Sequence, residues 1–203
     1  MFEINHLHFS YGTNVIFDDF SFSINKGDIL CISGKNGSGK TTLLKILCGL
    51  NYYPTLDCKI DGIYVSQHKL KNYVTYIPTS PNFYENLTAT EYILWLESLW
   101  KKDESYIERV YDYMSLLNLE VDESSEIAAF SLGMKYKLYF CSFLALDNPV
   151  LLLDEPLNSL DIASREAAIS LLKQYIQKHD GYCVFSSHVK DTISSLATTT
   201  IFI

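Results

Sequence analysis

One glycine-rich segment has the residue types and the spacing to bind a phosphate group. Residues 34–41 follow the pattern G-x-x-x-x-G-K-T, between an apolar run at 30–33 and a segment with helical periodicity. Glycines let the backbone wrap so that N–H groups point at phosphate oxygens, and the helix N-terminus adds partial positive charge. We expect Lys40 to reach the β- and γ-phosphates and Thr41 to place its hydroxyl on Mg²⁺. The alternative is a simple turn between strand and helix, which has no use for the Lys-Thr pair.

A second segment ends in two carboxylates. Residues 150–153 are Val-Leu-Leu-Leu, a run suited to a central parallel strand, and Asp154 and Glu155 follow directly. Open α/β sheets bind ligands at the carboxyl ends of their strands. We expect Asp154 to hold Mg²⁺ through water and Glu155 to orient or deprotonate an attacking water. The alternative is a pair of carboxylates that complements the N-terminus of a helix.

Two more side chains stand at the ends of predicted strands. His188 follows the apolar segment 182–185, and a lone histidine is more often structural than catalytic. Tyr11 stands at the start of the turn segment 11–14, where an aromatic ring could lie flat on a purine. The alternative for Tyr11 is an ordinary aromatic residue at the end of a strand.

Strands and helices alternate along the chain in a way that would position these residues. Alternating or continuous apolar patterns predict strands at 2–9, 20–24, 30–33, 73–77, 150–153 and 182–185. Helical periodicity and capping residues predict helices that end at Leu47 and, further along, span about 88–100, 107–117, 131–146 and 162–178. Residues 51–72 have a weak pattern, which predicts a loop with short edge strands.

Composition narrows the class of protein. The 203 residues, 48% of them hydrophobic, suit one domain with a small inserted subdomain. A net charge of −8 disfavours a nucleic-acid partner. Five cysteines without a C-x-x-C spacing indicate reduced core thiols in a cytoplasmic protein. No apolar run approaches the roughly 20 residues needed to cross a bilayer, so any membrane-spanning part would belong to a partner.

Taken in chain order, these segments resemble the nucleotide-binding subunit of ABC transporters along essentially the whole sequence. The residues that carry the resemblance occupy the family's adenine-stacking aromatic, Walker A, Walker B, D-loop and switch-histidine positions: Tyr11, residues 34–42, Asp154 and Glu155, Asp161, and His188. Residues 131–134, Ser-Leu-Gly-Met, resemble the signature loop L-S-G-G-Q, in the S-x-G-M form of drug, antibiotic and peptide exporter subunits.

The resemblance implies a fold and a set of site residues. The fold is α/β: a P-loop NTPase RecA-like core with an antiparallel β subdomain and an inserted helical subdomain at about 82–130, ending at the signature loop, in a single ABC ATPase domain over 1–203. The implied catalytic residues are Glu155, His188 and Lys40, and the implied Mg²⁺ ligands are Thr41, Asp154 and Thr79. The implied ATP-binding residues are Tyr11, Gly34, Asn36, Gly37, Ser38, Gly39, Lys40, Thr41, Thr42, Ser131, Gly133 and Asp161.

The sequence departs from the family pattern in two places, the loop after the strand at 73–77 and the signature loop. Thr79 stands where the family has a glutamine after the strand at 73–77. In the signature loop, Leu132 replaces the second glycine and Met134 the glutamine, while Ser131 and Gly133 remain.

The resemblance implies an ATP-hydrolysing subunit that powers a separate membrane permease from the cytoplasmic face of the membrane. We expect it to export a small peptide, an antibiotic or a similar amphiphile, and to dimerise head to tail with a second copy or a paralogous subunit. A soluble non-transport ABC ATPase, acting on ribosomes, DNA repair or cofactor assembly, is the main alternative. A P-loop kinase or GTPase is a weaker one, because neither needs the loop at Ser131 to Gly133.

Overall fold

The computed structural model describes all residues, 1–203, and the chain divides into two compact units. The first contains residues 1–76, 148–155 and 172–203, and the second contains residues 77–147 and 156–171. The strands are β1 (Phe2–Tyr11), β2 (Asn14–Ile24), β3 (Ile29–Ser33), β4 (Asp57–Ile60), β5 (Ile63–Tyr64), β6 (Val74–Ile77), β7 (Val150–Asp154), β8 (Tyr182–Ser187) and β9 (Thr199–Phe202). The helices are α1 (Lys40–Leu47), α2 (Gln67–Leu70), α3 (Ala89–Trp100), α4 (Glu104–Leu116), α5 (Leu132–Leu144), α6 (Ile162–His179) and α7 (Lys190–Leu196). A short 3₁₀ helix spans Ile127–Ala129.

The first unit contains two sheets of different kinds. One sheet is antiparallel and has the strand order β2-β1-β4-β5. The other has the strand order β6-β7-β8-β3-β9. In the second sheet β3 pairs in parallel with β8 and β9, and β7 pairs in parallel with β8. All residues of β3, β7 and β8 are buried, which explains their continuous apolar sequence. The predicted α/β class with a separate antiparallel sheet is therefore confirmed.

The sheet order brings three strand ends together. Because β8 lies between β3 and β7, the carboxyl ends of all three strands lie along one edge of the sheet. Helix α1 belongs to the core that joins both sheets, where Leu43 and Leu44 are buried with Ile4 and Leu152. This packing fixes the start of α1 relative to that edge.

The second unit contains α3, α4, α5 and the first part of α6. Thr88 and Glu91 form the predicted capping box at the start of α3. Tyr92 is buried, but Trp95 and Tyr111 are exposed, so only some of the aromatic residues of these helices belong to the core. The predicted helical subdomain at 82–130 falls inside this unit, which also takes in α5.

Two short helices were not predicted, α2 inside the weakly patterned stretch 51–72 and α7 after His188. Both are too short to show helical periodicity in sequence. No helix combines the length and the apolar character that crossing a bilayer would require.

Candidate functional site

The glycine-rich segment forms the connection between β3 and α1. Gly39 is the N-cap of α1 with φ 106°, and a Cβ atom there would lie 2.7 Å from Ile16 Cγ2. A Cβ atom at Gly34 would overlap the carbonyl oxygen of Ile203 and lie 2.6 Å from Ser38 Oγ. Both positions therefore require glycine. Gly39 needs it for its backbone conformation and for space, and Gly34 needs it for space alone.

Lys40 places its ammonium group inside this connection. The side chain is buried, and Nζ donates hydrogen bonds to the carbonyl oxygens of Gly34 at 2.8 Å and Lys35 at 2.9 Å. The backbone of the loop thus surrounds the positive charge. The arrangement concentrates a cation and the N-terminus of α1 at one point, which suits a phosphate group.

The other predicted residues of the segment lie around the same turn. Asn36 is exposed, and Gly37 has a positive φ of 83°. The backbone N–H of Ser38 donates to the carbonyl of Lys35 at 3.1 Å, while Ser38 Oγ is buried without a hydrogen-bond partner. Thr42 is half-buried in the first turn of α1. Ser38 Oγ is therefore a polar atom in the loop whose hydrogen bonding is unsatisfied.

Thr41 and Asp154 contact each other across the sheet edge. Thr41 Oγ1 donates to Asp154 Oδ2 at 2.8 Å, and Ser186 Oγ donates to Asp154 Oδ1 at 2.6 Å. Asp154 is buried at the end of β7 and is paired in register with Ser186 of β8. A buried carboxylate needs such donors, so two neighbouring elements hold Asp154 in one orientation.

The oxygen atoms of this pair suit Mg²⁺. Hydroxyl and carboxylate oxygens are the hard ligands that Mg²⁺ prefers, at 2.0–2.1 Å in octahedral geometry. Thr41 Oγ1 and Asp154 Oδ2 lie 2.8 Å apart, so the hydroxyl and the carboxylate face one place, where the carboxylate can hold the ion through a bound water. The two residues therefore fit this ion.

Glu155 is held by backbone and side chain beside Asp154. Its φ is 50°, in the left-handed region, and its N–H donates to Ser186 Oγ at 3.0 Å. Its Oε1 lies 2.7 Å from Nδ1 of His188. An ionised carboxylate only accepts hydrogen bonds, so Nδ1 carries the hydrogen in this pair. Glu155 is mostly buried and His188 is half exposed, so the carboxylate is oriented from the solvent side.

Ser186 is a site residue that sequence reasoning missed. It contacts both carboxylate residues, through Oγ to Asp154 and from the backbone of Glu155. The only signal in the sequence is a pair of serines at the end of the apolar run 182–185. Two serines alone do not predict a contact with Asp154 and Glu155. That contact exists because the sheet order places β8 beside β7.

Tyr11 ends β1 in the same unit. The ring is 52% exposed, and its hydroxyl oxygen accepts a 2.8 Å hydrogen bond from Asn51 Nδ2. The ring of Phe9 meets it edge to face at 5.0 Å. The paired strand β2 supplies Ile16 and the ring of Phe17 beside Gly39, so one hairpin carries Tyr11 and packs on the glycine-rich loop.

Cys31, next to the same loop in β3, is a thiol and not a thiolate. Burial raises its pKa to about 12. All five cysteines are free and four are buried, as the sequence predicts.

In the second unit, Ser131 and Gly133 lie at the start of α5. Ser131 is exposed and caps the helix, its Oγ accepting from the N–H of Met134 at 3.2 Å. The first turn of α5 contains no acidic residue. A Cβ atom at Gly133 would approach the carbonyl of Ser159 to 3.4 Å, so this helix start lies beside the segment that precedes α6.

The carboxylate of Asp161 accepts hydrogen bonds from residues of the same unit. It accepts from the N–H of Ser164 at 2.9 Å and from Ser164 Oγ at 2.7 Å, and it lies 3.2 Å from Lys137 Nζ. The backbone and side-chain hydrogen bonds from Ser164, followed by the bond from Lys137, hold the pKa of Asp161 well below its usual range. Lys137, on α5, was not predicted as a site residue.

Thr79 follows β6 and is exposed.

Comparison with known proteins gives a consistent result. The family model described as ABC transporter matches residues 17–158. The cytochrome c biogenesis ATP-binding export protein CcmA of Reclinomonas americana is 33% identical over 196 residues, covering 93% of this chain and 87% of that protein. The energy-coupling factor transporter ATP-binding protein EcfA1 of Fusobacterium nucleatum subsp. nucleatum is 34% identical over 182 residues, covering 86% and 68%. A solved structure of the ATP-binding subunit of an ABC transporter is 26% identical with a TM-score of 0.89, covering 100% of this chain and 85% of the other.

Proposed function

Because the chain belongs to the ABC transporter family, as one of its ATP-binding ATPases, we propose that it powers a separate membrane permease. In this proposal it works at the cytoplasmic face of the membrane, as a head-to-tail dimer with a second copy or a paralogous subunit. The reaction is the transfer of the γ-phosphoryl group of ATP to water, which gives ADP and phosphate.

The observation that carries the proposal is the hydrogen bond between Thr41 and Asp154. It joins the phosphate loop to the end of β7, so that Lys40, Thr41, Asp154 and Glu155 all lie at one edge of the parallel sheet. A structural N-cap or a glycine-rich turn needs only one of these segments. A phosphoryl-transfer site needs both.

We assign each side chain a role that its position supports. Lys40 binds the β- and γ-phosphates, exchanging its bonds with the loop carbonyls for phosphate oxygens. Thr41 and Asp154 would hold Mg²⁺, which neutralises charge on the phosphates when bound. Glu155 orients the attacking water and accepts its proton. His188 fixes Glu155 through Nδ1, and its Nε2, when it also carries a hydrogen, donates to the γ-phosphate. Tyr11 stacks on the adenine, with its exposed ring.

The start of α5 supports the proposed dimer. Ser131 and Gly133 lie in a helix N-terminus whose first turn contains no acidic residue, which suits the phosphates of a nucleotide. We assign this helix start and Asp161 to the ATP that is bound by the partner's phosphate loop, so that each site is shared. We assign to Thr79 the role of the family's glutamine, which contacts the metal and the attacking water and whose loop faces the permease.

The proposed direction of transport and class of substrate rest on the signature loop. The S-x-G-M form of residues 131–134 favours an exporter of a small peptide, an antibiotic or a similar amphiphile. A soluble, non-transport ABC ATPase is the second candidate, and the acidic balance of the chain disfavours its nucleic-acid-bound forms.

A co-purification experiment separates these two functions. The chain is tagged and recovered from detergent-solubilised membranes, and the ATPase rate of the complex is compared with that of the isolated chain. We expect recovery with a polytopic membrane protein that raises the ATPase rate. Recovery only from the soluble fraction, with ribosomes or repair proteins and without stimulation by a membrane partner, would contradict the transport proposal.

A further inference from the structure

The hydroxyl group of Tyr11 is held by a residue 40 positions away in the sequence. Asn51 Nδ2 donates to Tyr11 Oη at 2.8 Å, although both side chains are at least partly accessible to solvent. A phenol at the end of an exposed strand could bond to water instead. A direct bond to a side-chain amide therefore restricts the orientation of the ring.

Asn51 is fixed by its own backbone. Its N–H donates to the carbonyl of Lys45 at 2.9 Å, in the last turn of α1, and its carbonyl accepts from Gln67 Nε2 at 2.7 Å. Helix α1 begins at the phosphate loop with Lys40. The hydrogen-bond donor for Tyr11 is thus attached to the far end of the same helix that carries the phosphate-binding lysine.

Gln67 is the buried centre of this connection. Its amide nitrogen donates to the carbonyls of Ile46 at 2.9 Å and Asn51 at 2.7 Å, and its oxygen accepts from the N–H of Tyr53 at 2.6 Å. Both amide hydrogens are used, so the side chain is locked in one rotamer. The segment 51–53 is therefore held against the end of α1.

A second route reaches Tyr11 from the same residues. The ring of Tyr53 meets that of Phe9 at 6.2 Å and 69°, and the ring of Phe9 meets that of Tyr11 at 5.0 Å and 90°. These edge-to-face contacts support the ring from one side. The hydrogen bond from Asn51 fixes its far end.

We propose that Asn51, held by Gln67, is a positioning residue that orients the Tyr11 ring for the base of ATP. The inference rests on the proposed stacking role of Tyr11. When ATP binds to a Tyr11 ring that is already oriented, the protein loses less side-chain conformational entropy than when the ring is mobile. Because α1 links the phosphate loop to Asn51, the network also sets the distance between the base platform and the phosphate site.

The test compares two ligands and a cycle of variants. Dissociation constants for Mg-ATP and for Mg-tripolyphosphate, which has no base, are measured for the parent, Asn51→Ala, Tyr11→Phe, the double variant and Tyr11→Ala. Asn72→Ala is the control, an exposed asparagine in the same unit. KM and kcat for ATP are measured on the same proteins.

We expect Asn51→Ala and Tyr11→Phe each to weaken ATP binding by roughly two- to fivefold, the range of a solvent-accessible neutral hydrogen bond. The double variant should lose no more than either single variant, because both remove the same bond. KM should rise with kcat unchanged. Tripolyphosphate binding should stay at the parent value in all of them.

The possible failures are distinct. Additive losses in the double variant, or an equal loss of tripolyphosphate affinity in Asn51→Ala, would overturn the positioning role of Asn51. So would unchanged ATP affinity in Asn51→Ala while Tyr11→Ala binds ATP weakly. Unchanged ATP affinity in Tyr11→Ala would instead show that the proposed stacking role of Tyr11 is wrong.

Discussion

His188 Nδ1 lies 2.7 Å from Glu155 Oε1, although 33 residues separate them in the chain. The two residues follow the adjacent parallel strands β7 and β8, which places both at the same edge of the sheet. Ser186 adds a second connection by accepting the N–H of Glu155. The carboxylate that we assign to the attacking water is thus oriented by the neighbouring strand.

Replacing His188 with alanine should lower kcat for ATP by roughly 100-fold, the size of effect that misplacing a reacting group can have. The variant loses the bond to Glu155 and the contact assigned to the γ-phosphate. Dissociation constants for Mg-ATP should change little, because Lys40 and the phosphate loop remain. A parent-like kcat in His188→Ala would show that the pair is not used in catalysis.

Replacing Lys40 with alanine should weaken Mg-ATP binding by roughly 10- to 100-fold and lower turnover, because charge-assisted hydrogen bonds to the phosphates are lost. Equilibrium binding and steady-state rates measure the two losses. Lys35→Ala is the matched control, an exposed lysine in the same loop, and it should behave like the parent. Equal losses in both variants would mean that general positive charge, and not the position of Lys40, binds the phosphates.

Replacing Thr79 with glutamine should raise the basal ATPase rate and weaken stimulation by the permease. In the proposed role, threonine would reach the metal only through a bridging water, whose ordering costs up to about 2 kcal/mol, so the expected gain is roughly 3- to 30-fold. Thr79→Ser keeps the hydroxyl and serves as the control. Unchanged rates in Thr79→Gln, with and without the permease, would mean that Glu155 and His188 suffice and Thr79 is merely tolerated.

Replacing Asp161 with asparagine should change how stability depends on pH. The bonds from Ser164 and then Lys137 lower the pKa of the carboxyl group from its ordinary value of 3.8. The stabilisation is therefore present above about pH 4 and is lost as the pH falls further. Asparagine still caps α6 but carries no charge, so the variant should have a lower Tm at neutral pH and a shallower loss of Tm in acid. Parallel Tm curves for parent and variant would contradict this role.

The regular elements around the site could be predicted because each has its own signal in the sequence. The glycine spacing at 34–41, the apolar run before Asp154 and the capping box at Thr88 all depend on neighbouring residues. The fold class follows from their order along the chain.

The remaining contacts depend on which elements become neighbours. Ser186 contacts Asp154 only because β8 pairs with β7, and Asn51 contacts Tyr11 only because the buried Gln67 holds the segment after α1. Gln67 itself lies in a helix of four residues, too short for periodicity to reveal. Lys137 and Asp161 likewise meet through helix placement and not through spacing.

The shared-site proposal predicts that Glu155→Gln forms a stable dimer with Mg-ATP. The amide retains an oxygen that can accept from His188, and the nucleotide is not consumed. Light scattering in the presence of Mg-ATP measures the mass. A variant that stays monomeric, even with the permease present, would count against the head-to-tail dimer.

We propose that Glu155 activates the attacking water at the edge of the parallel sheet. The single-turnover rate of ATP hydrolysis in Glu155→Gln tests this role most directly. Glutamine keeps the size of the side chain and removes the charge and the proton acceptor. We expect a rate lowered roughly 1,000-fold with Mg-ATP affinity close to that of the parent. A rate within about threefold of the parent would contradict the assignment of Glu155 as the group that activates water.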